Sequence, residues 1–62
     1  MNESDFWTLK AMSKYGGGFV KALAQAAHQA DPNNLARIKN AWPEYWKEYS
    51  KIGKSLWEKD GP

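Results

Sequence analysis

Large apolar residues recur along part of this chain at spacings that alternate between three and four. Seven positions follow the pattern: Leu35, Ile38, Trp42, Tyr45, Tyr49, Ile52 and Leu56. Such spacing places the side chains on one face of an α-helix, as in a coiled coil, whereas a strand would require alternation. A chain with this face must fold so that other helices cover it. We therefore expect an all-α fold.

A proline interrupts this pattern without changing its phase. Inside a helix a proline costs about 3 kcal/mol or more and disfavours helical geometry at the residue before it. Pro43 lies on the polar side of the wheel with Lys47 and Lys54, where water can replace the lost hydrogen bond. The sequence predicts a helix over about 33–52 that is kinked or split at Pro43.

Two further helices are predicted before this one. Ser4 is a suitable N-cap for a helix over about 5–15, which would turn Leu9, Met12 and Tyr15 to one side. The segment FVKALAQAAHQA predicts a helix over about 19–30 with a buried face made mostly of alanine and including Phe19.

The connections between these helices complete the expected fold. Asp31 and Pro32 are typical of a helix restart, with Asp as the cap and Pro at the first position. We expect a small bundle of three helices that forms a single helical domain over 1–62, with a fraying tail at 53–62.

Three consecutive glycines in the segment YGGGF, residues 15–19, separate the first two helices. Glycine-rich loops before helices can bind phosphate, but the fixed neighbours of the known phosphate-binding motifs are absent. We predict instead that the glycines turn the chain, with a left-handed glycine ending one helix and Gly18 capping the next.

Size and composition limit how such a bundle can be stabilised. A domain of 62 residues buries only about 60% of its unfolded surface. Cysteine is absent, so disulfides and thiolate metal sites cannot help, whereas aromatic residues make up 15% of the chain. We expect an aromatic-rich core, self-association or a partner to supply the remaining stability.

The charge of the chain is small but uneven. The formal net charge is +2, and residues 6–30 contain Lys10, Lys14 and Lys21 without any acidic residue. No apolar run approaches the ~18 residues of a membrane span, and MNESDF lacks the features of a signal peptide. We expect a cytoplasmic protein with no membrane association.

Residues suited to catalysis are few. The chain has one histidine, no cysteine and no pair of carboxylates on an apolar face. His28 and Asp31 have a spacing that could share a metal, but two ligands alone do not make a site. We expect no enzymatic activity, no metal and no cofactor.

One candidate binding surface lies at the edge of the apolar pattern. Its five members fall within about 60° of one another if the helix continues past Gly53; they are Lys39, Trp46, Ser50, Gly53 and Trp57. A glycine between two tryptophans would form a notch of the kind used at protein interfaces. Alternatively, Gly53 ends the helix and Trp57 folds back onto the core.

A second candidate surface lies on the first helix. Trp7, Lys10 and Lys14 fall within about 60° of one another. An exposed tryptophan beside lysines could stack on a nucleic-acid base or contact an acidic partner. The alternative is that Trp7 covers the edge of the core while the lysines are solvated.

The segment YGGGFVKALAQAAHQADPNNLARIKNAWPEYWKEY, residues 15–49, resembles short open reading frames of bacteriophages and prophages. The shared motifs are Y-G-x-F-hydrophobic-x-A-L-A, A-D-x-x-N and A-aromatic-P-E-aromatic-x-x-x-Y. The run of three glycines and the segment 53–62 depart from the pattern. The resemblance implies a viral or mobile-element origin, with the bacterial host cytoplasm as location, and implies no activity or site residues.

Together these observations predict a phage-type accessory protein that acts by binding a host or viral protein, as an inhibitor of a host factor for example. A small nucleic-acid-binding protein using Trp7, Lys10, Lys14 and Lys21 is an alternative. A structural subunit that forms homo-oligomers through its aromatic seam is another. Salt dependence separates the first two, because nucleic-acid affinity falls steeply with salt.

Overall fold

The computed structural model describes residues 1–61 as four α-helices without a strand, so the all-α prediction is confirmed. The helices are α1 (Glu3–Tyr15), α2 (Gly18–Gln29), α3 (Pro32–Ala41) and α4 (Pro43–Asp60). The predicted count of three is wrong, because the apolar seam is carried by two separate helices. The break lies at Trp42 and Pro43, where we expected a kink or a split.

Trp42 is both the C-cap of α3 and the N-cap of α4. Its φ of −131° and ψ of 63° are not helical. Its N–H donates to the carbonyl of Ile38 at 3.1 Å, and its own carbonyl accepts from the N–H of Trp46 at 3.3 Å. Pro43 follows as the first residue of α4, where an absent N–H leaves no helical hydrogen bond unmade.

The starts of the other helices follow local capping rules, with small shifts. Asp31 accepts from the N–H of Asn34 at 2.7 Å and caps α3 as expected. For α1 the cap is Asn2 rather than Ser4: its side chain accepts from the N–H of Asp5 at 2.7 Å. The cap of α2 is Gly17 rather than Gly18.

The glycine turn works differently from our expectation. No glycine among residues 1–61 has a positive φ, so the predicted left-handed glycine is wrong. Gly16 and Gly17 are extended instead, and they reverse the chain without left-handed geometry. Gly16 is required for space, because a Cβ there would lie 2.5 Å from both the Met12 carbonyl oxygen and Val20 Cγ1.

The core lies where α1 packs against α2 and α4, with α3 closing one side. Its buried members come from α1, α2 and α3: Leu9, Met12, Val20, Leu23, Ala24, Ala27 and Leu35. The seam residues Ile38, Trp42, Tyr45 and Tyr49 are partly buried and pack against this cluster.

Two aromatic residues expected on inward faces lie outside. Tyr15 is 54% exposed and Phe19 is 55% exposed. At this corner it is Val20 that is buried, and its side chain lies against Gly16. Phe19 still contacts the Trp42 ring edge-on, with centroids 5.7 Å apart.

The C-terminal part of α4 is also packed. We expected residues 53–62 to fray, but α4 continues through Gly53 to Asp60, and Leu56 is buried. The Gly61 N–H donates to the carbonyl of Trp57 at 2.8 Å and closes the helix. Pro62 lies outside the described residues. Over residues 1–61 no helix has the length and apolar character needed to cross a membrane.

Candidate functional site

The helices α1 and α4 cross at Gly53 with their backbones almost in contact. A Cβ at this buried residue would lie 2.6 Å from the carbonyl oxygen of Trp7 and 2.9 Å from the nitrogen of Thr8. The open notch expected over Gly53 is therefore filled by the backbone of α1. The alternative, that Gly53 ends the helix, is also wrong because α4 continues.

A groove lies beside this crossing. Its volume is about 310 Å³, and its six lining residues are Ser4, Trp7, Ser50, Lys51, Lys54 and Trp57. The first two belong to α1 and the other four to α4. Trp7 is partly buried, whereas Trp57 is 36% exposed. Two tryptophans from different helices thus border one opening on the surface.

The two surfaces predicted from the sequence meet in part at this groove. Trp7 from one set lines it together with Ser50 and Trp57 from the other. Gly53 lies at the neighbouring crossing and allows α1 to approach. The remaining predicted residues lie elsewhere: Lys39, Trp46, Lys10 and Lys14 do not line the groove.

Lys39 and Trp46 instead hold the carboxylate of Asp5. Lys39 Nζ donates to the two carboxylate oxygens at 3.1 and 3.3 Å, and the Trp46 indole N–H donates to Oδ1 at 3.2 Å. Asp5 is only 7% exposed, so its charge needs these donors. This cluster, the Asp5 node, joins α1 to both α3 and α4.

Lysines on α1 cover aromatic rings. Lys10 Nζ lies 5.4 Å from the centroid of the Trp7 ring and 5.5 Å from that of Phe6. Lys14 Nζ lies 5.4 Å from the centroid of Tyr15. The predicted grouping of Trp7 with two lysines therefore holds for Lys10, whereas Lys14 lies over Tyr15. All three contacts have cation–π geometry.

Sequence reasoning missed three of the lining residues: Ser4, Lys51 and Lys54. A signal for Lys54 was present, because Ser50, Lys54 and Trp57 are separated by four and three positions and therefore share a helix face. Ser4 lies three positions before Trp7 and shares its helix face, but this spacing does not show that α1 packs against α4 at that face.

The histidine considered as a metal ligand is exposed on α2. Its candidate partner, the Asp31 carboxylate, is engaged in capping α3. Within residues 1–61 no three His, Cys, Asp or Glu side chains come together in a way that could hold a metal ion.

Comparison with protein-family models, with curated proteins and with solved structures finds no match to this chain. The resemblance of residues 15–49 to phage reading frames is not tested by these comparisons and stays a prediction.

Proposed function

We propose that this chain acts by binding another protein, and that the groove between α1 and α4 is its contact surface. The observation that carries the proposal is the pair of tryptophans, Trp7 and Trp57, on opposite helices around one opening. Tryptophan is strongly enriched among residues that dominate interface energetics. The volume of about 310 Å³ suits one or two side chains of a partner.

The groove is also held in shape before any partner arrives. Close backbone packing at Gly53 fixes α1 against α4 on one side of it. The Asp5 node fixes α1 through a second set of contacts. A preformed surface loses less conformational entropy on binding, so more of the contact energy appears as affinity.

Nucleic-acid binding, the alternative function, has weaker support at this surface. A base stacks on an open aromatic face. At Trp7 the ammonium of Lys10 lies 5.4 Å from the ring centroid and covers one face, so only the other face is open to a base or to a side chain of a partner. We therefore favour a protein partner, which in a phage setting would be a host or viral protein that this chain inhibits or redirects. The proposal assigns binding, and no catalytic step, to the chain.

Photo-crosslinking tests the proposal. A benzophenone amino acid at Ser4, an exposed lining residue, should form covalent adducts with a protein in bacterial host lysate. The same group at Gln25, exposed on α2 and outside the groove, is the control and should give none of these adducts. Trp57→Ala should remove the Ser4 adducts. Equal labelling from both positions, or adducts with nucleic acid only, would contradict a protein-binding groove.

A further inference from the structure

We infer that the groove accepts an acidic segment of the partner that presents a large apolar side chain. This inference rests on the proposed function and specifies the chemistry of the partner. The apolar side chain would enter between Trp7 and Trp57, while carboxylates on either side of it would pair with Lys51 and Lys54.

The charge of the groove supports an acidic occupant. Two of its six lining residues are lysines and none is acidic. Glu3 and Glu58 are next to lining residues in the sequence but do not line the groove. Among the described residues the one ion pair joins Lys39 to Asp5, so neither Lys51 nor Lys54 has a carboxylate partner. Complementary charge of this kind favours encounter and selects the partner.

A second depression on α4 differs from the groove in both respects. It is lined by residues of both charges and by no aromatic side chain: Glu44, Lys47, Glu48, Lys51 and Ile52. The two glutamates there offset the two lysines, so the lining gives carboxylates of a partner no net attraction. The groove beside the crossing combines aromatic walls with two lysines and has no acidic residue in its lining, although Lys51 also lines the second depression.

The groove also offers hydroxyl groups for the backbone of a bound segment. The Ser4 hydroxyl has no hydrogen bond to any of residues 1–61, although the carbonyl of Ser4 accepts from Thr8 Oγ at 2.9 Å. The Ser50 hydroxyl donates to the carbonyl of Lys47 at 3.0 Å, which leaves its oxygen free to accept. A peptide N–H and C=O could therefore both be satisfied beside the aromatic walls.

Selection from a randomised peptide library displayed on yeast tests the inference with the full chain as bait. We expect enrichment of peptides in which Asp or Glu flank a Leu, Ile, Phe or Trp. A chain carrying Lys51→Glu and Lys54→Glu should no longer enrich them. Enrichment of neutral or basic peptides, or no enrichment at all, would overturn the inference.

Affinity measurements with one enriched peptide make the test quantitative. The Lys51→Glu, Lys54→Glu variant should bind it at least about tenfold more weakly in low salt, because two attractive charges become repulsive. The matched control, Lys47→Glu with Lys59→Glu, makes the same charge change on α4 outside the groove lining and should alter affinity by less than about threefold. Equal affinity for the peptide with Asn and Gln in place of its acids would overturn the inference.

Failure of the inference and failure of the proposed function are distinguishable. If Ser4 crosslinks a protein but the groove prefers neutral or basic peptides, binding stands and the acidic segment is wrong. If Ser4 crosslinks no protein, the proposed function is wrong even where acidic peptides bind. Tight binding of a single-stranded oligothymidylate that displaces the acidic peptide would assign the groove to nucleic acid and overturn both.

Discussion

At Gly53 the backbones of α1 and α4 leave no room for a methyl group, since a Cβ would approach the carbonyl oxygen of Trp7 to 2.6 Å. A glycine within a helical pattern indicates a helix end, a gap or a close approach. The sequence alone could not separate these readings, because the element that approaches begins about fifty positions earlier and leaves no local trace.

Gly53→Ala should therefore destabilise the protein. The added methyl group would meet backbone atoms of α1, which cannot rotate aside, so the helices must separate. We expect a loss of about 2 kcal/mol in the free energy of unfolding, even though alanine favours helix over glycine by about 1 kcal/mol. Urea denaturation followed by far-UV circular dichroism measures this change.

Gly18→Ala is the matched control. Gly18 is the first residue of α2, and a Cβ there meets nothing within 4 Å. This variant should leave stability within about 0.5 kcal/mol of the parent or raise it slightly. If both alanine variants behave alike, the close approach at Gly53 does not contribute to stability.

Helix ends were largely predictable from the sequence, because their signals are local. The Asp31-Pro32 restart and the break at Pro43 lie where the residue types place them. Helix faces were less predictable, as Tyr15 and Phe19 show, since the neighbours of a face are set by packing. The Asp5 node was missed for the same reason: its donors lie 34 and 41 positions away.

The Asp5 node should couple α1 energetically to α4. Trp46→Phe keeps an aromatic ring but removes the N–H that donates to Asp5 at 3.2 Å. We expect this change to cost about 1–2 kcal/mol in the parent, because a hydrogen bond to a charged, buried acceptor is lost. In an Asp5→Ala background the same change should cost much less. A double-mutant cycle in urea measures the coupling.

Trp57→Phe is the control for this cycle. Among residues 1–61, the side-chain donors to the Asp5 carboxylate are Lys39 and Trp46, so the Trp57 indole makes no hydrogen bond to it. Its effect on stability should be the same in both backgrounds. If the cost of Trp46→Phe differs by less than about 0.3 kcal/mol between the parent and the Asp5→Ala background, the coupling is refuted.

The whole molecule is small, with principal extents of 29 × 23 × 18 Å. A core of this size leaves large apolar side chains on the surface, including Phe6, Tyr15, Phe19 and Trp57. The sequence identified three of the six lining residues of the groove, in two separate groups: Trp7 on α1, and Ser50 with Trp57 on α4. The proximity of these two groups could not be predicted, because it depends on how α1 packs against α4.

Self-association stays a prediction at this scale. We expect the purified chain to sediment as a dimer or larger assembly at micromolar concentration, since aromatic surface remains uncovered and neither disulfides nor thiolate sites are available. Phe19→Asp should shift the distribution toward monomer; acidic residues are favourable in the first turn of α2, which limits the cost to the helix. Sedimentation velocity measures the distribution.

Gln29→Asp provides the comparison, because it adds the same charge to α2 at an exposed polar position. This variant should sediment as the parent does. A parent chain that is strictly monomeric at these concentrations would rule out the homo-oligomer and leave the groove as the site at which aromatic surface is covered by a partner.

The packing of α1 against α4 also bears on synthesis in the cell. Because α4 is synthesised last, the face of α1 that carries Thr8 has no covering helix until α4 becomes available. Contacts between segments distant in sequence form late and slow the search for the native state. Partly folded chains in which α4 has not yet packed expose apolar helix faces, and chaperone binding would matter most during that interval.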